Sequence, residues 1–134
     1  MLSACSQQHA GLMKALRTLD TDLLSTGYYV IIPNQGCEGC ISTAEDFVKR
    51  HYTSSPQVKY IFTRTQSLKL LQIKLGREIL RSSRVLVDSA NIIRYPDRSK
   101  DIYPMIVTVK GGRITDIAYQ RPEEDGLEVV LRKE

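Results

Sequence analysis

An α/β fold, with a mixed central sheet and helices on both faces, is the class this sequence predicts. Three observations point to it. Strand-like apolar runs alternate with stretches of helical periodicity through the first two thirds of the chain, the pattern of parallel strands joined by helices. Near the C-terminus, two strand-like runs flank Lys110-Gly111-Gly112-Arg113, a tight-turn sequence that adds an antiparallel hairpin. A length of 134 residues, 42% apolar, is enough for one domain with its own core and argues against disorder. That domain is expected over 10–134, behind a flexible tail at 1–9.

Taken in order, Leu12, Ala15, Leu16, Leu19 and Leu23 recur at helical spacing and predict a helix from Ala10 to Leu24. Ser25-Thr26-Gly27 breaks it. Tyr28 to Ile32 is apolar at every position, as in a strand covered on both faces. Ile41, Ala44, Phe47, Val48 and His51 share one face of a second helix, and Pro56 closes the loop behind it. Val58–Thr63 reads as a strand. Ser67 can cap a helix carrying Leu68, Leu71, Leu75 and Ile79, which Gly76 bends or ends. Val85 to Val87 is a short strand, followed by a polar connection. Met105–Val109 and Ile114–Tyr119 form the hairpin, and Leu127–Leu131 is either a short strand or a helical turn or two.

The chemistry concentrates in Cys37-Glu38-Gly39-Cys40, at the junction between a strand and a helix. A thiol there meets unpaired N–H groups and the positive end of the helix dipole, which favour the thiolate. The second thiol lies one turn on, near enough for a disulfide. From the residues alone two chemistries stay open: dithiol redox exchange, and soft-metal binding of Cu(I) by two thiolates. A four-cysteine zinc site is excluded within one chain, because only two sulfurs are local. Three cysteines in all are too few for a disulfide scaffold.

Other residues carry less. A net charge of +4, spread over Arg77/Arg81/Arg84 and Arg94/Arg98/Lys100, reads as solvated faces and not as a nucleic-acid surface. His51, beside Phe47 and Val48, reads as a structural histidine. Tyr28, Tyr29 and Tyr60 read as packing residues. Asp97-Arg98-Ser99-Lys100-Asp101 is a charged loop expected beside the active face. Leu2-Ser3-Ala4-Cys5 resembles a bacterial lipobox without its upstream basic and apolar segments, so Cys5 is either a lipidation site of a clipped leader or an incidental thiol.

The C-x-x-C pair together with Tyr103-Pro104, directly ahead of the hairpin, makes the chain resemble thioredoxin-fold thiol–disulfide proteins. The narrower likeness is to the membrane-tethered redoxins of the bacterial extracytoplasmic space. It covers Tyr28 to Tyr119, by element order. The resemblance implies that Cys37 attacks, Cys40 resolves, and Pro104 is a cis-proline that, with Tyr103, docks the substrate chain. Pro104 simply marking a strand start is the alternative, but the hairpin and the dithiol together favour the cis reading. The resemblance further implies no organic cofactor, a protein disulfide substrate, an electron-donor protein and a periplasmic location with a tether through the N-terminus; a cytoplasmic location is the alternative.

The chain departs from the family at Gly36, where an aromatic residue is usual, and at Glu38-Gly39. No buried proton-moving acid can be assigned. Glu38 beside Cys37 opposes the thiolate, which favours a reducing pair over an oxidising one. Gly39 shares this modulating position. The other functional readings are a Cu(I)-binding module on the same dithiol and a non-catalytic interaction domain.

Overall fold

A computed structural model describes the backbone of residues 2–132 and the side chains of residues 9–132. The Cys5 side chain, on which the lipidation expectation rests, lies outside the described residues. The elements run α1 (Leu2–Leu19), β1 (Thr26–Pro33), α2 (Glu38–His51), β2 (Val58–Thr63), α3 (Leu68–Leu75), α4 (Arg77–Arg81), β3 (Val85–Asp88), a 3-10 turn (Arg98–Lys100), β4 (Met105–Lys110), β5 (Arg113–Arg121), β6 (Glu124–Asp125) and α5 (Glu128–Arg132). Among the described residues the strands form one six-stranded sheet in the order β3-β2-β1-β4-β5-β6. β1, β2 and β3 are parallel, while β4 runs antiparallel to β1 and β5 to β4. The α/β class and the mixed sheet are therefore as the sequence predicts.

Side-chain alternation along the strands builds two cores. Tyr28, Val30 and Ile32 of β1 face α2, α3, α4 and α5, meeting Ile41, Phe47, Val48, Leu71 and Val130. Tyr29 and Ile31 face the other way, onto Leu12, Met13, Ala15 and Leu16 of α1 and onto Val107 and Val109. β1 is buried on both faces because it sits between parallel β2 and antiparallel β4, with a helical layer on each side. The Gly111-Gly112 turn has φ values of +59° and +76°, the two left-handed residues a tight hairpin requires.

The first helix differs at both ends from the predicted Ala10–Leu24, starting at Leu2 within the stretch expected as a flexible tail. It stops at Leu19, not Leu24, because Asp20 turns inward. Its carboxylate accepts from Lys59 Nζ at 3.0 and 2.8 Å and from the Tyr29 hydroxyl at 2.6 Å. It also accepts the Asp22 amide at 3.1 Å, while Leu24 N–H donates to the Tyr29 oxygen at 2.8 Å. Lys59 adds a bond to the Asp22 carbonyl at 2.7 Å. Asp20 and Lys59 are 4% and 6% exposed, so this is a buried ion pair with its remaining valences filled by the chain around it. Tyr29 is thus more than a packing residue. Gly76, at φ +93°, ends α3 as the sequence predicts, and α4 follows directly at Arg77.

The connection over residues 89–104 positions the site. β3 is the sheet edge, yet β4 pairs with β1, two strands away. The chain must therefore pass the carboxyl ends of β2 and β1, the region where open α/β sheets place their ligands. Asp88, fully buried, anchors the start of this crossing. Its oxygens accept the Thr63 hydroxyl at 2.8 Å and the amides of Ile92 and Ile93 at 3.0 and 2.9 Å. Ile93 and Tyr95 then bury on the α1 side of the sheet.

Candidate dithiol site

The dithiol lies where the fold leaves a strand end and a helix start open. Asn34 N–H continues the parallel ladder to Thr63 O at 3.0 Å, and the chain then turns through Gln35 and Gly36. Cys37 is the N-cap of α2 in extended geometry, and its Sγ accepts the Cys40 amide at 3.3 Å. A sulfur is an unusual cap; here it occupies the place that a serine or aspartate oxygen fills in most helices. The two sulfurs are bonded at 2.07 Å. Their environments differ: Cys37 is half-buried at the rim, whereas Cys40 is 7% exposed and faces the helix underside. Glu38 and Gly39 sit exposed in the first turn, and the Gly39 carbonyl accepts the Thr43 hydroxyl at 2.9 Å.

The opposite wall comes from the crossing segment. Cys37 N–H donates to the Ile102 carbonyl at 2.9 Å. Gly36 adopts φ +141°, and a Cβ there would stand 2.4 Å from the Ile102 oxygen. No side chain fits at position 36 between the β1–α2 loop and Ile102. The Ile102 side chain is 41% exposed beside the disulfide, an apolar surface at the mouth of the site.

Pro104 corrects an expectation. Among the described residues no peptide bond is cis, so the Tyr103–Pro104 bond is trans. The trans chain is held by its own contacts. Tyr103 N–H donates to Lys100 O at 3.1 Å, its carbonyl accepts the Tyr95 hydroxyl at 2.5 Å, and Pro104 O accepts Gln120 N–H at 3.0 Å. Tyr103 therefore has both backbone groups engaged internally. Pro104 opens β4, as prolines at strand starts do. The residue that abuts the dithiol is Ile102, one position earlier than Tyr103. Sequence reasoning missed it because only the crossing path selects it.

The remaining candidates fall as follows. His51 packs on Phe47 at 4.4 Å between ring centroids, a structural role. The Asp97–Asp101 loop does flank the site, capped by the Asp97 carboxylate on Ser99 N–H at 3.1 Å. The Ser99 hydroxyl at 2.7 Å, then Lys100 and that amide, hold the exposed Asp97 carboxyl below the usual range. Among the described residues no group of three or more histidine, cysteine or acidic side chains could hold a metal ion. No described helix is long and apolar enough to cross a membrane.

Chemically, the arrangement defines an α/β protein with an asymmetric cysteine pair at a strand-to-helix junction, Cys37 half-buried and Cys40 buried. No family model matches the chain, and no curated protein matches it.

Proposed function

We propose that this protein is a thiol–disulfide oxidoreductase of thioredoxin-like fold acting on protein disulfides. The observation that carries the reading is the asymmetry of the pair: half-buried Cys37 as helix cap, Cys40 buried one turn on. In the reduced protein the Cys37 thiolate accepts the Cys40 N–H and attacks one sulfur of a substrate disulfide. A mixed disulfide forms and one substrate thiolate leaves. The Cys40 thiolate then attacks Cys37 Sγ, closing the internal disulfide and releasing the second substrate thiolate, so two electrons pass to the substrate. A partner dithiol protein restores the reduced pair by the reverse exchange.

Further support comes from topology. The dithiol sits between a central strand and its helix, and the segment ahead of an antiparallel hairpin closes over it. Ile102 takes the docking role that the sequence assigned to Tyr103 and Pro104, offering apolar surface beside the accessible sulfur. Glu38, by opposing the Cys37 thiolate, makes the pair a stronger reductant of its substrate. The Leu2–Cys5 motif motivates an extracytoplasmic location with a lipid tether through the N-terminus.

The test is exchange itself. Reduced Cys40→Ser protein, mixed with an oxidised protein substrate, is expected to accumulate a mixed disulfide through Cys37, and Cys37→Ser is not. Wild type is expected to show a reversible two-electron couple in glutathione buffer. Absence of exchange with tight one-to-one Cu(I) binding would turn the reading to metal carriage. Absence of both would leave an interaction domain.

A further inference from the structure

Next to the dithiol, on the other side of the crossing segment, lies a cleft of about 580 Å³ lined by Arg64, Asn91, Arg94, Tyr95, Arg98 and Asp101. It contains three guanidinium groups against one carboxylate. Arg64 is fixed in place: it donates to the Asp101 carbonyl at 2.8 Å, pairs with the Asp101 carboxylate at 3.3 Å, and lies over the Tyr95 ring at 5.7 Å. Arg94 is tied only to backbone carbonyls, those of Asn91 and Ile93. Arg98 and Arg94 are exposed, and neither has an acidic partner among the described residues.

The backbone here is strained in a way found nowhere else among the described residues. Arg64 and Asn91 are the two non-glycine residues at positive φ, +56° and +55°. They hold each other, Arg64 N–H donating to Asn91 Oδ1 at 3.1 Å. Such strain gathers where geometry serves a site. The dithiol is close by. Arg64 and the Cys37 amide bond to the consecutive carbonyls of Asp101 and Ile102, one peptide unit of about 3.8 Å apart in the chain.

We infer that this cleft is a carboxylate-binding subsite for an acidic segment of the protein whose disulfide docks at Cys37. Planar, unpaired guanidinium groups recognise carboxylates by bidentate hydrogen bonds, and a polar cleft open to solvent suits a peptide chain. The inference rests on the exchange reading for its substrate, but binding at the cleft can be measured without the dithiol.

Two measurements separate the two. A cysteine-free peptide rich in Asp and Glu, and its Asn/Gln counterpart, are titrated into oxidised wild-type protein and into the Arg94→Gln/Arg98→Gln variant. Both arginines are exposed, so the fold is expected to persist. The acidic peptide should bind about three- to tenfold more weakly to the variant and more weakly as salt rises, and the neutral peptide should not distinguish the two proteins. Equal binding to both proteins overturns the subsite whatever the dithiol does. In the second arm, disulfide-linked peptides with acidic or neutral flanks are offered to reduced protein. Preference for the acidic one by kcat/KM, lost in the variant, supports the inference. Displacement of the acidic peptide by equimolar glutathione disulfide would assign the cleft to small polycarboxylate disulfides and overturn the protein-segment assignment. Acidic-peptide binding without any exchange would leave the subsite standing and sink the redox reading instead.

Discussion

The amide of Cys37 is bonded to the carbonyl of Ile102, and the α-carbon of Gly36 lies so close to Ile102 that a methyl group there would overlap its backbone. This contact joins the β1–α2 loop to the crossing segment and sets the width of the dithiol site.

Gly36→Ala is therefore expected to destabilise the protein by about 2–4 kcal/mol, from overlap with rigid backbone and an unfavourable φ. Gly39→Ala, two residues after Cys37, meets nothing within 4 Å in a helical turn and should be neutral or stabilising by about 0.5–1 kcal/mol. Urea denaturation of both variants checks the pair. Similar losses at both positions would contradict the contact.

The buried ion pair makes a second prediction. Asp20→Ala leaves Lys59 buried without its carboxylate and should cost about 3–5 kcal/mol, whereas Asp20→Leu/Lys59→Met removes both charges and should recover much of that loss. A double-mutant cycle of Asp20→Leu, Lys59→Met and the two together, by chemical denaturation, gives the coupling. Additive effects would mean that the two side chains do not interact.

Asp88→Ala strips acceptors from the Ile92 and Ile93 amides and the Thr63 hydroxyl at once, an expected loss of about 2–4 kcal/mol. The crossing segment should loosen with it. Faster amide exchange at Ile92 and Ile93 than in the core of β1 is the diagnostic reading; unchanged protection there would refute the anchoring role.

Tyrosine ionisation predicts the alkaline limit. Burial raises Tyr28, Tyr29, Tyr95 and Tyr119 above the ordinary 10.0, and for Tyr29 the hydrogen bond to the Asp20 carboxylate adds to it. Above pH 10.0 the unfolded chain loses protons that the folded chain keeps, so the folded state binds more protons and stability falls as pH rises. Below that value this contribution is fully present. Tyrosinate absorbance should titrate late for these four in the native protein and at the ordinary value in urea. One normal step for every tyrosine while the fold persists would contradict the burial.

Glu38→Gln removes an exposed negative charge beside Cys37, favouring the thiolate and hence the reduced pair. The reduction potential should rise by about 10 mV, measured against glutathione. A fall in potential would reverse the role assigned to Glu38.

The sequence by itself determined the main elements and their order, though not the start of α1 at Leu2, the short β6 or the choice of helix for α5. β2 falls at Val58–Thr63 as read, Ser67 caps α3 through Leu70 N–H, and Gly111-Gly112 closes the hairpin, because each depends on local periodicity, capping or allowed φ. It also located the dithiol, since a strand-to-helix junction is a local event. A lone lysine inside the apolar run Val58–Thr63 was a legible sign that Lys59 needed a buried partner, although nothing local names Asp20. Only the tertiary structure decided the surroundings of the site: the trans bond at Pro104, the place of Ile102 against Cys37, and the gathering of Arg64 with Arg94 and Arg98. These follow from one nonlocal fact, that β4 pairs with β1 and not with edge strand β3. That pairing sends residues 89–104 across the strand ends, and strand order is chosen by burial over the whole sheet, which no short stretch of sequence encodes.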